Sequence, residues 1–110
     1  MSYEIVPTNN FNREIKKLAK KYRSIVDDLE KLGNELIQNP TKGDNLGNNI
    51  FKVRMAISSK GKGKSGGARI ITYVYVDGEK IFLLSIYDKS EKENISDIEI
   101  KHFLKDIDIE

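Results

Sequence analysis

The chain has 110 residues, 38% of them hydrophobic and 33% charged, with a formal net charge of +2. That is material for one domain, expected to span 1–110, and less chain than a nucleotide-binding βαβ protein normally uses. No apolar run approaches the ~18 residues of a membrane span, no signal-peptide pattern opens the chain, and the lack of cysteine excludes disulfides and thiolate zinc sites. A cytoplasmic protein with no membrane partner is expected.

Tyr3-Glu-Ile-Val6 reads as a short strand that ends near Pro7, and Thr8 to Asn10 supply capping side chains for a helix. Phe11, Ile15, Leu18 and Tyr22 recur at helical spacing, with Lys16, Lys17, Lys20 and Lys21 mostly off that stripe. A second helix is expected from Ser24, where Ser24 and Asp27 have capping-box spacing. Its stripe is Ile25, Leu29, Leu32 and Leu36, and Asn39-Pro40 stops it. Two short amphipathic helices in succession form a hairpin with one face to bury.

The period then changes to two. Phe51, Val53, Met55 and Ile57 alternate without a miss, which places Lys52 and Arg54 together on the opposite face of a strand over 50–57. Residues 68–76 are β-branched and aromatic, Asp77-Gly78 carries a type I′ hairpin signal, and 80–87 is the returning strand. That last strand is apolar on both faces, so it belongs inside the sheet. Ser90 with Glu93 and Ser96 with Glu99 both have capping-box spacing, and Ile100, Phe103, Leu104 and Ile107 give a final helix. The expected fold is α+β in the order β-α-α-β-β-β-α, a helical hairpin packed on a small, mainly antiparallel twisted sheet.

Between the second and third strands lies GKGKSGGAR, residues 61–69, where Gly61, Gly63 and Gly66 match the dinucleotide pattern G-x-G-x-x-G. That pattern works only between a strand and a helix, whose N-terminus receives the pyrophosphate. Here a strand follows. The P-loop pattern fails as well, because its first glycine falls on Ser58. The stretch therefore reads as a flexible basic connection carrying Lys60, Lys62 and Lys64, able to follow a nucleic-acid backbone or simply to stay solvated.

Familiar catalytic constellations are missing. The single histidine, His102, sits on the last helix, so there is no triad, no histidine cluster and no legible metal site. No cofactor is implied. What stands out is charge: residues 42–69 carry seven Lys or Arg against Asp44 alone, whereas residues 90–110 carry seven acidic groups and three basic ones. If the three strands of the second half are antiparallel neighbours, Lys52, Arg54, Arg69 and Lys89 can converge on one face; equally, they can be solubilising charge on an open sheet. Arg69 resists the second reading best, standing between Gly66-Gly67 and an apolar strand. A cation cluster without metal or histidine suits cleavage of RNA by its own 2′-hydroxyl. Arginine clamps the pentacovalent phosphate, and a lysine crowded by other cations approaches base function.

The chain resembles the RelE/HigB superfamily of bacterial type II toxins, specifically its HigB-like branch. The resemblance rests on the Phe11-to-Leu36 hairpin, the strand Phe51-Lys-Val-Arg54, the segment Gly63-Lys-Ser-Gly-Gly-Ala-Arg-Ile-Ile71 and the ending Leu84-Ser-Ile-Tyr-Asp-Lys-Ser-Glu-Lys-Glu-Asn-Ile-Ser96. It implies an mRNA interferase: an endoribonuclease that enters the ribosomal A site, cuts messenger there with basic residues and no metal, and is silenced by a cognate antitoxin, usually a helix-turn-helix, HigA-like protein. Carried over by position, Arg69 is the phosphate-stabilising residue, Lys52 and Arg54 are the paired basic residues of the preceding strand, and Lys89 serves the leaving group or the phosphate. Lys60, Lys62, Lys64, Gly66 and Gly67 would face RNA and ribosome. Where many RelE members have a tyrosine, this chain has Ile95; Tyr73, Tyr75 and Tyr87 lie nearby and are assigned to strand packing. Two other readings remain open: a ParE-like, topoisomerase-inhibiting toxin of the same fold, and a non-catalytic nucleic-acid-binding module.

Overall fold

The structure is a computed structural model that describes residues 2–61 and 63–107. Its elements are β1 (Glu4–Pro7), α1 (Asn9–Lys21), α2 (Ile25–Gln38), β2 (Asp44–Gly47), β3 (Ile50–Met55), a 3-10 turn at Ser58–Lys60, β4 (Ala68–Tyr75), β5 (Lys80–Asp88) and α3 (Asp97–Leu104). The strands form one sheet in the order β1-β5-β4-β3-β2, antiparallel except for the parallel β1–β5 pair. This is the expected α+β architecture with one strand more, β2. Every residue of β2 is exposed, so it has no buried face to pattern its sequence and exists through its pairing with β3.

Three local signals resolve differently from their spacing. Ser24 makes no capping bond to the backbone of α2; its hydroxyl donates instead to the Asp28 carboxylate at 2.8 Å, so the Ser24–Asp27 box does not form. Ser96 and Glu99 do form a capping box at the start of α3, whereas Ser90 lies in a turn. Neither Asp77 nor Gly78 has positive φ, and the β4–β5 connection is a four-residue loop between the paired Tyr75 and Lys80. A Cβ on Gly78 would lie 2.5 Å from the Tyr75 ring, so glycine is there to admit the ring. The two-residue turn with both φ positive is Asn48-Asn49, at 53° and 63°, joining β2 to β3.

The sheet buries both faces. On one, the hairpin residues Phe11, Leu18, Ile25, Leu32 and Leu36 pack with Val53, Ile70, Ile81, Leu83 and Ile86. On the other, Ile100 of α3 packs with Ile50, Ile71, Phe82, Leu84 and Tyr87. β5, expected inside the sheet, lies between β1 and β4.

Strict alternation along β5 is broken once. Ile71 pairs with Ser85 but Thr72 pairs with Leu83, leaving Leu84 as an extra residue. The bulge is held from the start of α1: Asn10 donates to the Leu84 carbonyl at 2.9 Å and the Thr8 hydroxyl to the Leu83 carbonyl at 2.9 Å. A Glu14 oxygen accepts from the Ser85 hydroxyl at 2.8 Å and the Ile86 N–H at 3.2 Å. Because of this extra residue, Ile86 joins Leu83 under the hairpin and Tyr87 joins Phe82 and Leu84 on the α3 side.

Candidate functional site

The β3–β4–β5 register sets the site. Arg54 pairs with Arg69, and Arg69 pairs with Tyr87, so the three side chains form one row across the α3-side face. Lys52, two residues before Arg54, stands opposite Ile71 in the next row of that face. Arg54 is exposed and Lys52 half-buried. Lys52, Arg54 and Lys64 line one cleft of ≈ 320 Å³ together with Lys42, Gly43, Asp44 and Val53. Lys42 reaches Glu35 at 3.8 Å. Among the described residues Lys52, Arg54 and Lys64 have no ion pair, and Asp44, opposite Lys52 in the ladder, is the one carboxylate in the lining, so positive charge predominates in the cleft.

Arg69 is buried, with only 3% of its surface exposed. Its Nη1 donates to the carbonyls of Lys64 at 2.9 Å and Ala68 at 3.1 Å, and its Nη2 donates to the Ser65 carbonyl at 3.2 Å. The guanidinium therefore shapes the glycine-rich loop from beneath. Of its five N–H groups, Nε–H and one on Nη2 remain uncommitted among the described residues. Burial first, and then the neighbouring Arg54 charge, hold its pKa below the ordinary arginine value. An anion beside this row would favour the charged guanidinium and so oppose both effects.

The loop that Arg69 organises is closed on its far side by Gly67. A Cβ there would fall 2.1 Å from the Met55 carbonyl oxygen and 3.0 Å from Cα of Ala56, a contact only glycine permits. The Gly67 carbonyl accepts the N–H of Lys89 at 3.1 Å, which brings the end of β5 beside the loop. The Lys89 side chain is exposed and without an ion pair among the described residues. Gly66 is half-buried beside Gly67. Lys62 lies outside the described residues.

Lys60 is placed apart from this cluster. Its Nζ bonds Asp88 Oδ1 at 2.8 Å, and its side chain is only 11% exposed. Asp88, whose side chain is fully buried, also accepts from the Tyr22 hydroxyl at 2.5 Å and from the Ser90 N–H at 2.9 Å. Burial works against the Asp88 charge, but the bonds from Lys60, Tyr22 and Ser90 outweigh it and hold the carboxyl well below its usual range. Asp28 similarly accepts from the Ser58 hydroxyl at 2.5 Å and the Ser58 N–H at 2.9 Å. Both carboxylates anchor the first residues of the loop to the body of the protein.

Tyr87 is the residue that spacing concealed. It is 7% exposed, its ring lies 5.7 Å from the Lys92 ammonium, and its hydroxyl is buried with no hydrogen-bond partner among the described residues. Burial raises its pKa, Arg69 opposes that rise and Glu99 adds to it, so the phenol keeps its proton at neutral pH. A two-residue period from Phe82 runs through Leu84 to Ile86 and passes Tyr87 by. No signal in the sequence marks the bulge that moves it.

The sequence model described as RelE toxin of the RelE / RelB toxin-antitoxin system matches residues 4–107. Among solved structures, the chain is similar to a free-state structure of a double arginine-to-alanine mutant of the E. coli toxin RelE. The two share 18% identity and a TM-score of 0.64, over 96% of this chain and 97% of that one. At that identity the likeness speaks for the fold, and it agrees with the match of the family along the sequence. The helical hairpin, the five-stranded sheet and the cationic row stand on a chain that belongs to the RelE toxin family, the toxin component of a toxin–antitoxin system.

Proposed function

We propose that the protein is a ribosome-dependent endoribonuclease that cleaves messenger RNA in the A site. The observation that carries this reading is the set Lys52, Arg54 and Arg69, gathered on one sheet face with Asp44, opposite Lys52, as its cross-strand carboxylate and no ion pair to any of the three among the described residues. Such a face binds a phosphate diester and gains most when the diester becomes a phosphorane with added negative charge. In the proposed reaction the 2′-oxygen forms a bond to phosphorus and the bond to the 5′-oxygen breaks. The Lys52 amine receives the 2′-hydroxyl proton, Lys89 supplies one to the leaving oxygen, and the Arg54 and Arg69 guanidiniums hold the nonbridging oxygens. Lys64 on the glycine-rich loop adds backbone attraction. No metal is invoked, because these groups supply the charge.

The cognate antitoxin in this reading is a helix-turn-helix, HigA-like protein, as the resemblance to the HigB-like branch implies, and the site of action is the cytoplasmic ribosome. No helix of the described residues is long and apolar enough to cross a membrane. The test is induction of the toxin alone, followed by mapping of 5′ ends on ribosome-bound messages. Cuts within coding regions are expected, and they should vanish with Lys52→Ala. Arrested cells holding intact messages refute the proposal, and DNA damage in those cells points to topoisomerase as the target instead.

A further inference from the structure

We infer that the Tyr87 hydroxyl is a direct contact to the scissile phosphate, a neutral hydrogen-bond donor completing the row begun by Arg54 and Arg69. This rests on the ribonuclease reading and adds to it a residue that neither the motifs nor the resemblance assigns. The position the family uses for a tyrosine is Ile95 here, on the segment after β5, whereas Tyr87 is within β5 itself.

Three observations support the assignment. Tyr87 is the direct cross-strand neighbour of Arg69, the most enclosed cation of the site. Its hydroxyl is one of two buried side-chain polar atoms without a partner among the described residues; the other, Thr72 Oγ1, is on β4. Leaving a buried hydroxyl unpaired costs free energy that a phenylalanine would avoid, so its retention in a well-packed core calls for a partner that arrives later. Finally, the hydroxyl proton needs an acceptor that the row does not supply: Lys52, Arg54 and Arg69 can only donate, and the nearby Glu99 carboxylate is bound by Lys92. A phosphate oxygen meets the requirement of both Arg69 and Tyr87: two guanidinium N–H groups and one O–H, all donors, converge on an anion.

Access is through the segment between β5 and α3. Residues 89–96 contain no helix or strand, and the Lys92 side chain, itself partly exposed, lies over the Tyr87 ring. Entry of RNA between Arg69 and this segment exchanges the Lys92 cover for phosphate. The contact moves no proton: the phenol keeps its O–H and shares charge building on a nonbridging oxygen, while the bond changes are those given above. Its benefit is therefore larger in the phosphorane than in the ground-state diester.

The experiment uses intact toxin and ribosomes programmed with a defined A-site codon. Tyr87→Phe should keep or raise the thermal midpoint, because it removes an unpaired hydroxyl, yet slow single-turnover cleavage by about 10- to 100-fold. With a phosphorothioate at the scissile linkage, wild-type toxin should slow for one diastereomer, and Tyr87→Phe should show a smaller penalty for the same one. Cleavage by Tyr87→Phe at the wild-type rate overturns the inference, and so does slow cleavage with an undiminished sulfur effect, which marks a structural role. If wild-type toxin cuts nothing, the ribonuclease reading fails by itself. The contact is then judged by adding an RNA dinucleotide to toxin carrying carbon-13 tyrosine: displacement of the Tyr87 ring resonance supports it, and an unmoved resonance overturns it.

Discussion

Arg54 and Arg69 face each other directly across the β3–β4 ladder, two cations with no carboxylate between them. For unit charges roughly 6 Å apart, repulsion amounts to about 1–3 kcal/mol between the dielectric limits of water and a protein surface, and salt reduces it further. In the proposed function an anion bound to the row offsets this repulsion. Sulfate should therefore stabilise it more than chloride at equal ionic strength, by mass action on the folded state. Arg54→Ala should raise the midpoint in chloride by ~1–4 °C and remove the extra effect of sulfate. Equal midpoints in the two salts would argue against an oxyanion site.

In the proposed reaction Arg69 has two roles that one substitution conflates. Arg69→Ala deletes the donor proposed for the phosphate and also releases the carbonyls of Lys64, Ser65 and Ala68, so the loop loses its support. It should lower stability by on the order of 1–3 kcal/mol and abolish cleavage. Arg69→Lys keeps the charge but not the fork, and a lysine cannot reach three carbonyls and a phosphate together. Its cleavage should remain at least tenfold below wild type, with most of the stability restored. Denaturant unfolding alongside a cleavage assay separates the two effects; full activity in the lysine variant would show that charge alone suffices.

The sequence exposed the sheet better than the site. Phe51, Val53 and Met55 alternate because one face of β3 lies on the hairpin core, and that pattern correctly put Lys52 and Arg54 on the opposite face. β2 escaped because a strand exposed at every residue has no alternation to read. Asp77-Gly78 misled because its glycine answers a steric need, the Tyr75 ring, rather than a demand for positive φ. Two features around the candidate site are encoded by no local pattern. One is the bulge at Leu84 that turns Tyr87 toward Arg69. The other is the pairing of Lys60 with Asp88, residues 28 positions apart.

Lys60 and Lys64 belong to one basic stretch but should behave as different kinds of residue. Lys64→Ala removes a solvated charge beside the cleft, so ribosome affinity and its salt dependence should fall while the thermal midpoint stays put. Lys60→Ala leaves the Asp88 carboxylate buried without its cation, so the main loss should be of stability, by roughly 3 kcal/mol. Paired melting and binding curves decide the matter, and an unchanged melting curve for Lys60→Ala would show that Asp88 is satisfied without it.

Asp88 also gives a pH signature whose direction is fixed. Its folded pKa is lower than the ordinary value of 3.8, so its contribution is complete above that value and declines as pH falls below it. Stability should drop below about pH 4 as protons bind the unfolded chain first. Asp88→Asn should already be less stable at neutral pH, with a shallower acid decline. An acid slope as steep as that of the wild type would assign the decline to other carboxylates.

Two glycines of the loop region test whether its shape or its mobility matters. Gly61 has φ 73° and open space around its missing Cβ, so Gly61→Ala meets only the left-handed backbone penalty of about 1 kcal/mol. Gly67 has an ordinary φ but no room, since its Cβ would press on the Met55 carbonyl and on Ala56. Gly67→Ala must push the start of β4 away from β3, and Arg69, two residues on, moves with it. The expected order is a small loss of stability with near-normal cleavage for Gly61→Ala, against a larger loss with little cleavage for Gly67→Ala. The reverse order would mean that bending of the loop at Gly61, rather than the fixed seat of Arg69 beside Gly67, limits the reaction.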